Sequence, residues 1–64
     1  MTVAAYDILK KDASTLVWIE AVQDLETARL RAMELIARSE GEYVIFDQRT
    51  RRIAADFTGL RARL

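Results

Sequence analysis

The chain has 64 residues with no cysteine, proline or histidine, and its ten basic side chains balance ten acidic ones. A chain of this length forms one small domain, residues 1–64, and at this size folding buries only about 60% of the surface that the unfolded chain exposes. The composition excludes disulfides, thiolate nucleophiles, imidazole bases and the usual zinc ligands. Self-association is therefore the expected additional source of stability.

The longest unbroken apolar runs, which include 16–19 and 43–46, have four residues each. A membrane span needs about 20 such residues and a signal-peptide core needs about 7 to 15. We therefore expect no membrane partner and a cytoplasmic location.

Two strands are predicted at the start of the chain, over 4–10 and 15–22, because both segments carry aromatic and β-branched residues. The polar segment 11–14 between them suits a hairpin loop of about four residues.

A helix is predicted over 25–39, with Asp24 as its N-cap and Gly41 in a left-handed conformation just past its end. At about 100° per residue, one arc of the helix forms a core stripe. Its members are Leu25, Ala28, Ala32, Leu35 and Ile36. A second apolar arc, which that stripe does not need, consists of Leu30, Met33 and Ala37.

Two further strands are predicted over 42–48 and 52–57, joined by a turn that Asp47 initiates by bonding to the backbone two residues on. In the last strand Ile53, Ala55 and Phe57 alternate with polar or small residues, which places them on one face. The tail 58–64 is expected to fray or to add a short helical turn.

The order β-β-α-β-β predicts an α+β fold: a four-stranded sheet with one helix packed on one face. The strand order stays open between 1-2-3-4 and 2-1-3-4. Both the second and the third strands are apolar on both faces, so large side chains remain on the face that the helix does not cover. Such a face usually marks an interaction surface. The predicted interface residues are Trp18, Leu30, Met33 and Tyr43.

Four segments of the chain resemble a group of short, uncharacterised bacterial proteins. They are Tyr6-Asp7-Ile8-Leu9 with Trp18-Ile19-Glu20, then Asp24-Leu25-Glu26-Thr27-Ala28, then Gly41-Glu42-Tyr43-Val44-Ile45-Phe46-Asp47. The resemblance implies a ββαββ fold and brings no activity with it. Members of the group tend to carry glycine at the position of Arg51.

The carboxylates Asp7, Glu20, Asp47 and Asp56 are the candidates for acid–base or metal chemistry. Solvated strand residues, or cross-strand partners of basic side chains, are the more economical interpretation. There is no glycine-rich phosphate loop. We expect no enzyme, no cofactor and no metal site.

The two parts of the chain differ in charge. Residues 49–64 hold five arginines and one acid, whereas residues 1–48 hold five basic and nine acidic groups. Arg49, Arg51 and Arg52 at a hairpin tip could reach phosphates, which makes nucleic-acid binding the alternative function. The sequence pI of about 6.2 argues against it, since nucleic-acid-binding domains commonly exceed about 9. The favoured hypothesis is a non-enzymatic module that binds a protein partner or a second copy of itself.

Overall fold

A computed structural model describes residues 4–39 and 41–57 of the chain. The elements are β1 (Tyr6–Asp12), β2 (Thr15–Val22), α1 (Leu25–Arg38), β3 (Glu42–Asp47) and β4 (Arg52–Asp56). This ββαββ order confirms the α+β fold. No helix within these two ranges is long and apolar enough to cross a bilayer. The tail 58–64, for which a frayed end or a short helix was predicted, lies outside the described residues.

The four strands form one antiparallel sheet in the order β2-β1-β3-β4, which is the second of the two orders left open by the sequence. Both β2 and β3 pair with β1, so they run parallel to each other. Two strands that run in the same direction cannot be joined by a tight turn and need a long crossover connection, which α1 provides. The first strand of the chain is therefore an inner strand, and β2 and β4 are the two edges.

Helix α1 begins at the predicted cap. Asp24 accepts the backbone N–H of Thr27 at 2.8 Å through one carboxylate oxygen and the Thr27 hydroxyl at 3.0 Å through the other. These two bonds, the backbone one first, hold the pKa of Asp24 below its usual value of 3.8 because they favour the ionised form. The helix ends at Ser39, whose N–H donates to the Leu35 carbonyl at 2.7 Å.

The predicted left-handed conformation of Gly41 is wrong. Its φ lies outside the left-handed region, and the helix closes through extended Ser39. A Cβ at position 41 would lie 2.7 Å from Lys10 Cε, and Lys10 Nζ donates to Ser39 Oγ at 3.0 Å. The glycine therefore leaves room for the lysine side chain instead of relieving the backbone.

The core lies between α1 and the inner strands. The helix buries its predicted stripe, with Ala28, Ala32 and Ile36 buried and Leu25 and Leu35 partly buried. Small alanines at the contact allow the helix axis to approach the sheet closely. The sheet and the segment after it contribute Ile8, Tyr43, Ile45 and Phe57.

The β1–β2 hairpin is tighter than predicted. The pairs Lys11↔Leu16 and Asp12↔Thr15 extend the ladder, so the loop has two residues instead of about four. Ala13 takes a positive φ of 59° in that loop. The left-handed residues of two-residue hairpin loops are usually glycine, asparagine or aspartate, so alanine gave no signal for so short a connection.

A β-bulge in β4 changes the predicted faces of that strand. Ile45 pairs with Ala55, but Phe46 pairs with Ile53, which leaves Ala54 as the extra residue. Ile53 therefore lies on the opposite face from Ala55. The prediction that Ile53, Ala55 and Phe57 share one face is wrong, because an uninterrupted alternation cannot anticipate an inserted residue.

Candidate functional site

The sheet has one face covered by α1 and one face that no described element covers. Paired residues point to the same side of a sheet, so the cross-strand pairs assign each side chain to a face. Leu9 pairs with both Trp18 and Val44, and Phe46 pairs with both Asp7 and Ile53. The large apolar residues on this uncovered face, called here the open face, are Leu9, Leu16, Trp18, Val44, Phe46 and Ile53.

Exposure within the open face is concentrated on the edge strands. Trp18 and Leu16 on β2 are 58% and 51% exposed, and Ile53 on β4 is also exposed. Val44 on inner strand β3 is buried even without a covering layer. The sequence interpretation identified Trp18 but did not single out Leu16 or Ile53. The alternation of β2 was the available signal for Leu16, whereas the bulge hid Ile53.

The Trp18 indole is held in place at its polar end. Its Nε1 donates to Asp7 Oδ1 at 3.2 Å, and Gln48 Nε2 donates to the same oxygen at 2.9 Å. Asp7 lies opposite Ala21 on β2 and Phe46 on β3, so this carboxylate joins two strands across the open face. A tryptophan whose N–H is satisfied presents a rigid apolar ring, the kind of anchor that interfaces favour.

Tyr43 is not an interface residue of the open face, which corrects the sequence prediction. It is 1% exposed, on the helix-covered side. Its hydroxyl donates to the Ser39 carbonyl at 2.8 Å, and Lys10 Nζ lies 5.6 Å from its ring centroid. These contacts make Tyr43 a core residue that fixes the C-terminal end of α1.

The second predicted contact surface, the helix arc of Leu30, Met33 and Ala37, is exposed. On the flank of α1 towards β2, Arg31 Nε donates to Glu20 Oε1 at 2.9 Å and Arg31 Nη1 donates to Glu34 Oε1 at 2.9 Å. These bonds, led by the one to Glu20, raise the pKa of Arg31 above its usual value because they favour the charged form. The Arg31–Glu20 pair ties the helix to the edge strand β2.

The arginines Arg49, Arg51 and Arg52 lie on the surface of the β3–β4 hairpin. Asp47 initiates the turn as predicted, accepting the Arg49 N–H at 2.9 Å on its side chain and the Arg51 N–H at 2.8 Å on its carbonyl. The Arg49 guanidinium donates to the Tyr6 hydroxyl at 3.3 Å. Arg51 takes a positive φ of 62°. We call residues 48–52 the arginine hairpin.

The carboxylates weighed for chemistry are not brought together as a site. Asp7 lies on the open face, and Glu20 is bound to Arg31 on the helix side. Asp47 is engaged in the turn and lies 3.8 Å from Arg49 Nε. Within the described ranges, no group of three potential ligands converges as a metal site requires.

In comparisons with known proteins, no family model, curated protein or solved structure matches the chain. The open face, the helix arc and the arginine hairpin are therefore interpreted from their own geometry.

Proposed function

We propose that this chain is a non-enzymatic interaction module that associates with a second copy of itself, with Trp18 and Leu16 at the contact. The observation that carries the proposal is the exposure of these two large side chains, 58% and 51%, on a sheet face that no described element covers. Isolated exposed apolar residues are ordinary, but a contiguous apolar face on a small domain marks an interface.

Three features favour a second copy over a different partner. The net charge of the chain is zero, so copies approach without long-range repulsion. On the open face, Lys11 Nζ lies 3.8 Å from Glu42 Oε1, so the positive charge of the lysine and the negative charge of the glutamate neutralise each other. A domain of this size also has the most to gain from burying its remaining apolar surface.

Sedimentation equilibrium tests the proposal over a range of protein concentrations. We expect the wild-type chain to form a dimer that Trp18→Ala weakens. Met33→Glu tests the helix arc in the same assay and is expected to leave the dimer intact. Because Trp18 also donates to Asp7, Leu16→Lys is the matched variant that keeps this hydrogen bond. A wild-type chain that stays monomeric at high concentration, or a dimer that neither Trp18→Ala nor Leu16→Lys weakens, contradicts the proposal.

A second candidate function, nucleic-acid binding, is favoured by the exposed arginine hairpin. Arg51 and Arg52 are free of side-chain ion pairs within the described residues, and the open-face aromatics Trp18 and Phe46 could stack on bases. Binding of mixed DNA and RNA oligonucleotides at low salt tests this function. Arg51→Glu is compared with Arg29→Glu, the same charge change on α1. No binding at tens of micromolar, or equal effects of the two variants, removes this candidate.

The cytoplasmic location expected from the sequence is also a proposal, with fractionation of cells that express the chain as its test.

A further inference from the structure

The exposed apolar surface of β2 is not confined to the open face. Three consecutive residues of this edge strand are exposed, with Val17 at 43% lying between Leu16 and Trp18. Val17 pairs with Lys10, which lies two residues after the core residue Ile8 and therefore on the same face of β1. Val17 thus points to the helix side. Stacking two open faces would bury Leu16 and Trp18 but would leave Val17 in water.

Within the part of the chain that the structure describes, the outer edge of β2 has no partner strand. It is a terminal strand of the sheet, and no strand among residues 4–39 and 41–57 bonds to its far side. Edge strands of soluble proteins are commonly protected by charges, proline, bulges or short length. The other edge, β4, has five residues, a bulge, and a charged residue at each end. The segment 15–19 of β2 has no charge, glycine or proline. Its one irregularity is a bulge at Ile19, between the pairs Ile8↔Glu20 and Leu9↔Trp18, so residues 15–18 lack that protection.

From these observations we infer that two copies pair through β2, antiparallel, with Val17 opposite Val17 of the second copy at the two-fold axis. This inference rests on the proposed self-association and specifies its geometry. The two four-stranded sheets become one eight-stranded sheet. Because the two-fold axis is perpendicular to the combined sheet, the two helices lie on the same face of that sheet.

The register follows from the faces. Antiparallel neighbours must point to the same side, so the two paired residue numbers are both odd or both even within 15–19. Centring the pair on Val17 places Leu16 opposite Trp18 twice on the open face, and Thr15 opposite Ile19 twice on the helix side. Centring it on Trp18 would oppose Leu16 to Glu20, which lies across the bulge on the helix side with Arg31. Centring it on Leu16 would oppose Trp18 to Ser14, which lies in the hairpin loop outside β2. The Val17 register is therefore the one that pairs the whole segment 15–19 with matching faces.

Charge-reversal pairs at one position test this register. In the full chain, Val17→Lys and Val17→Glu each place like charges directly opposite each other, and each should raise the dimer dissociation constant at least about tenfold. Mixing the two variants in equal amounts should restore dimers, because Lys then faces Glu. Circular dichroism verifies that both variants fold.

Ile53→Lys is the matched control, because Ile53 is exposed like Val17 but lies on the far edge strand. It should dimerise like wild type. If Val17→Lys stays dimeric and Ile53→Lys does not, the copies stack through their open faces; the edge pairing is then wrong and the proposed self-association stands. If Val17→Lys and Val17→Glu are each monomeric and their equal mixture also stays monomeric, the Val17 register is wrong. A monomeric wild-type chain overturns both.

A cysteine at position 17 gives an independent measurement, since the chain has no cysteine of its own. Directly opposed Cβ atoms lie about 4.5–5.5 Å apart, near the range that a disulfide spans. Val17→Cys should therefore form a covalent dimer under mild oxidation at low protein concentration, whereas Ala37→Cys on the helix arc should not. Equal crosslinking of both variants would contradict the edge pairing.

Discussion

Replacing Arg51 by glycine should stabilise the domain. Arg51 has a φ of 62°, in the left-handed region that residues with a Cβ rarely occupy. That conformation costs about 1–2 kcal/mol for an L-residue with a side chain. Glycine removes this cost but gains about 0.4–1 kcal/mol of extra freedom in the unfolded chain. The midpoints of these two ranges give a net gain of about 0.8 kcal/mol in the free energy of unfolding.

Urea denaturation measures this gain. A shift of the midpoint by about 0.5 M, with no change in slope, corresponds to such a gain for a domain whose m-value is about 1–2 kcal/mol/M. The melting temperature should rise by about 2–8 °C. All variants must be compared at one protein concentration, because self-association couples stability to concentration.

Arg49→Gly is the control, since it makes the same chemical change two residues earlier, where φ is not positive. It also removes the hydrogen bond of 3.3 Å to the Tyr6 hydroxyl. We expect it to destabilise the domain. If Arg51→Gly lowers stability as much as Arg49→Gly does, backbone strain at position 51 is refuted as the dominant effect.

Three further changes test the helix and its ends. Gly41→Ala should be nearly neutral, because Lys10 can move its flexible end away from the new Cβ; a cost above about 1 kcal/mol would indicate that Lys10 loses its hydrogen bond to Ser39 when it moves. Asp24→Ala should lower the melting temperature at neutral pH. The pKa of Asp24 is depressed in the folded state, so its contribution to stability is present above the usual pKa of 3.8 and is lost as the pH falls through the folded pKa. The difference in melting temperature between Asp24→Ala and wild type should therefore close in acid. A difference that stays constant with pH would contradict this expectation. Ala32→Leu, at a fully buried contact, should cost about 1–3 kcal/mol by overpacking, whereas Ala37→Leu on the exposed arc should leave the urea midpoint unchanged.

Elements governed by local chemistry could be predicted from the sequence. The N-cap at Asp24, the apolar stripe of α1 and the turn initiated by Asp47 each depend on residues within a few positions of one another. The range Thr15–Val22 for β2 agrees fully with the expectation, and β3 and β4 each end one residue earlier than predicted.

Features governed by distant pairing could not be predicted. Strand order depends on which hairpin edges meet, and both orders satisfied the same pattern. The face of Tyr43 was undetermined because β3 is apolar on both sides, so alternation says nothing about which side α1 covers. The bulges at Ile19 and Ala54 each shift the faces of an edge strand by one residue, and neither carries a glycine that could have indicated it.

The strand order has a consequence for how the chain folds. Each edge strand pairs with its inner neighbour through a short loop, but the two inner strands, β1 and β3, pair residues such as Tyr6 with Asp47 and Lys11 with Glu42. Closing that central pair carries most of the loop-closure entropy, so we expect it to limit the folding rate. Arg51→Gly then becomes a kinetic probe. If the β3–β4 hairpin forms before the inner strands meet, the variant should fold faster; if the hairpin forms afterwards, it should unfold more slowly.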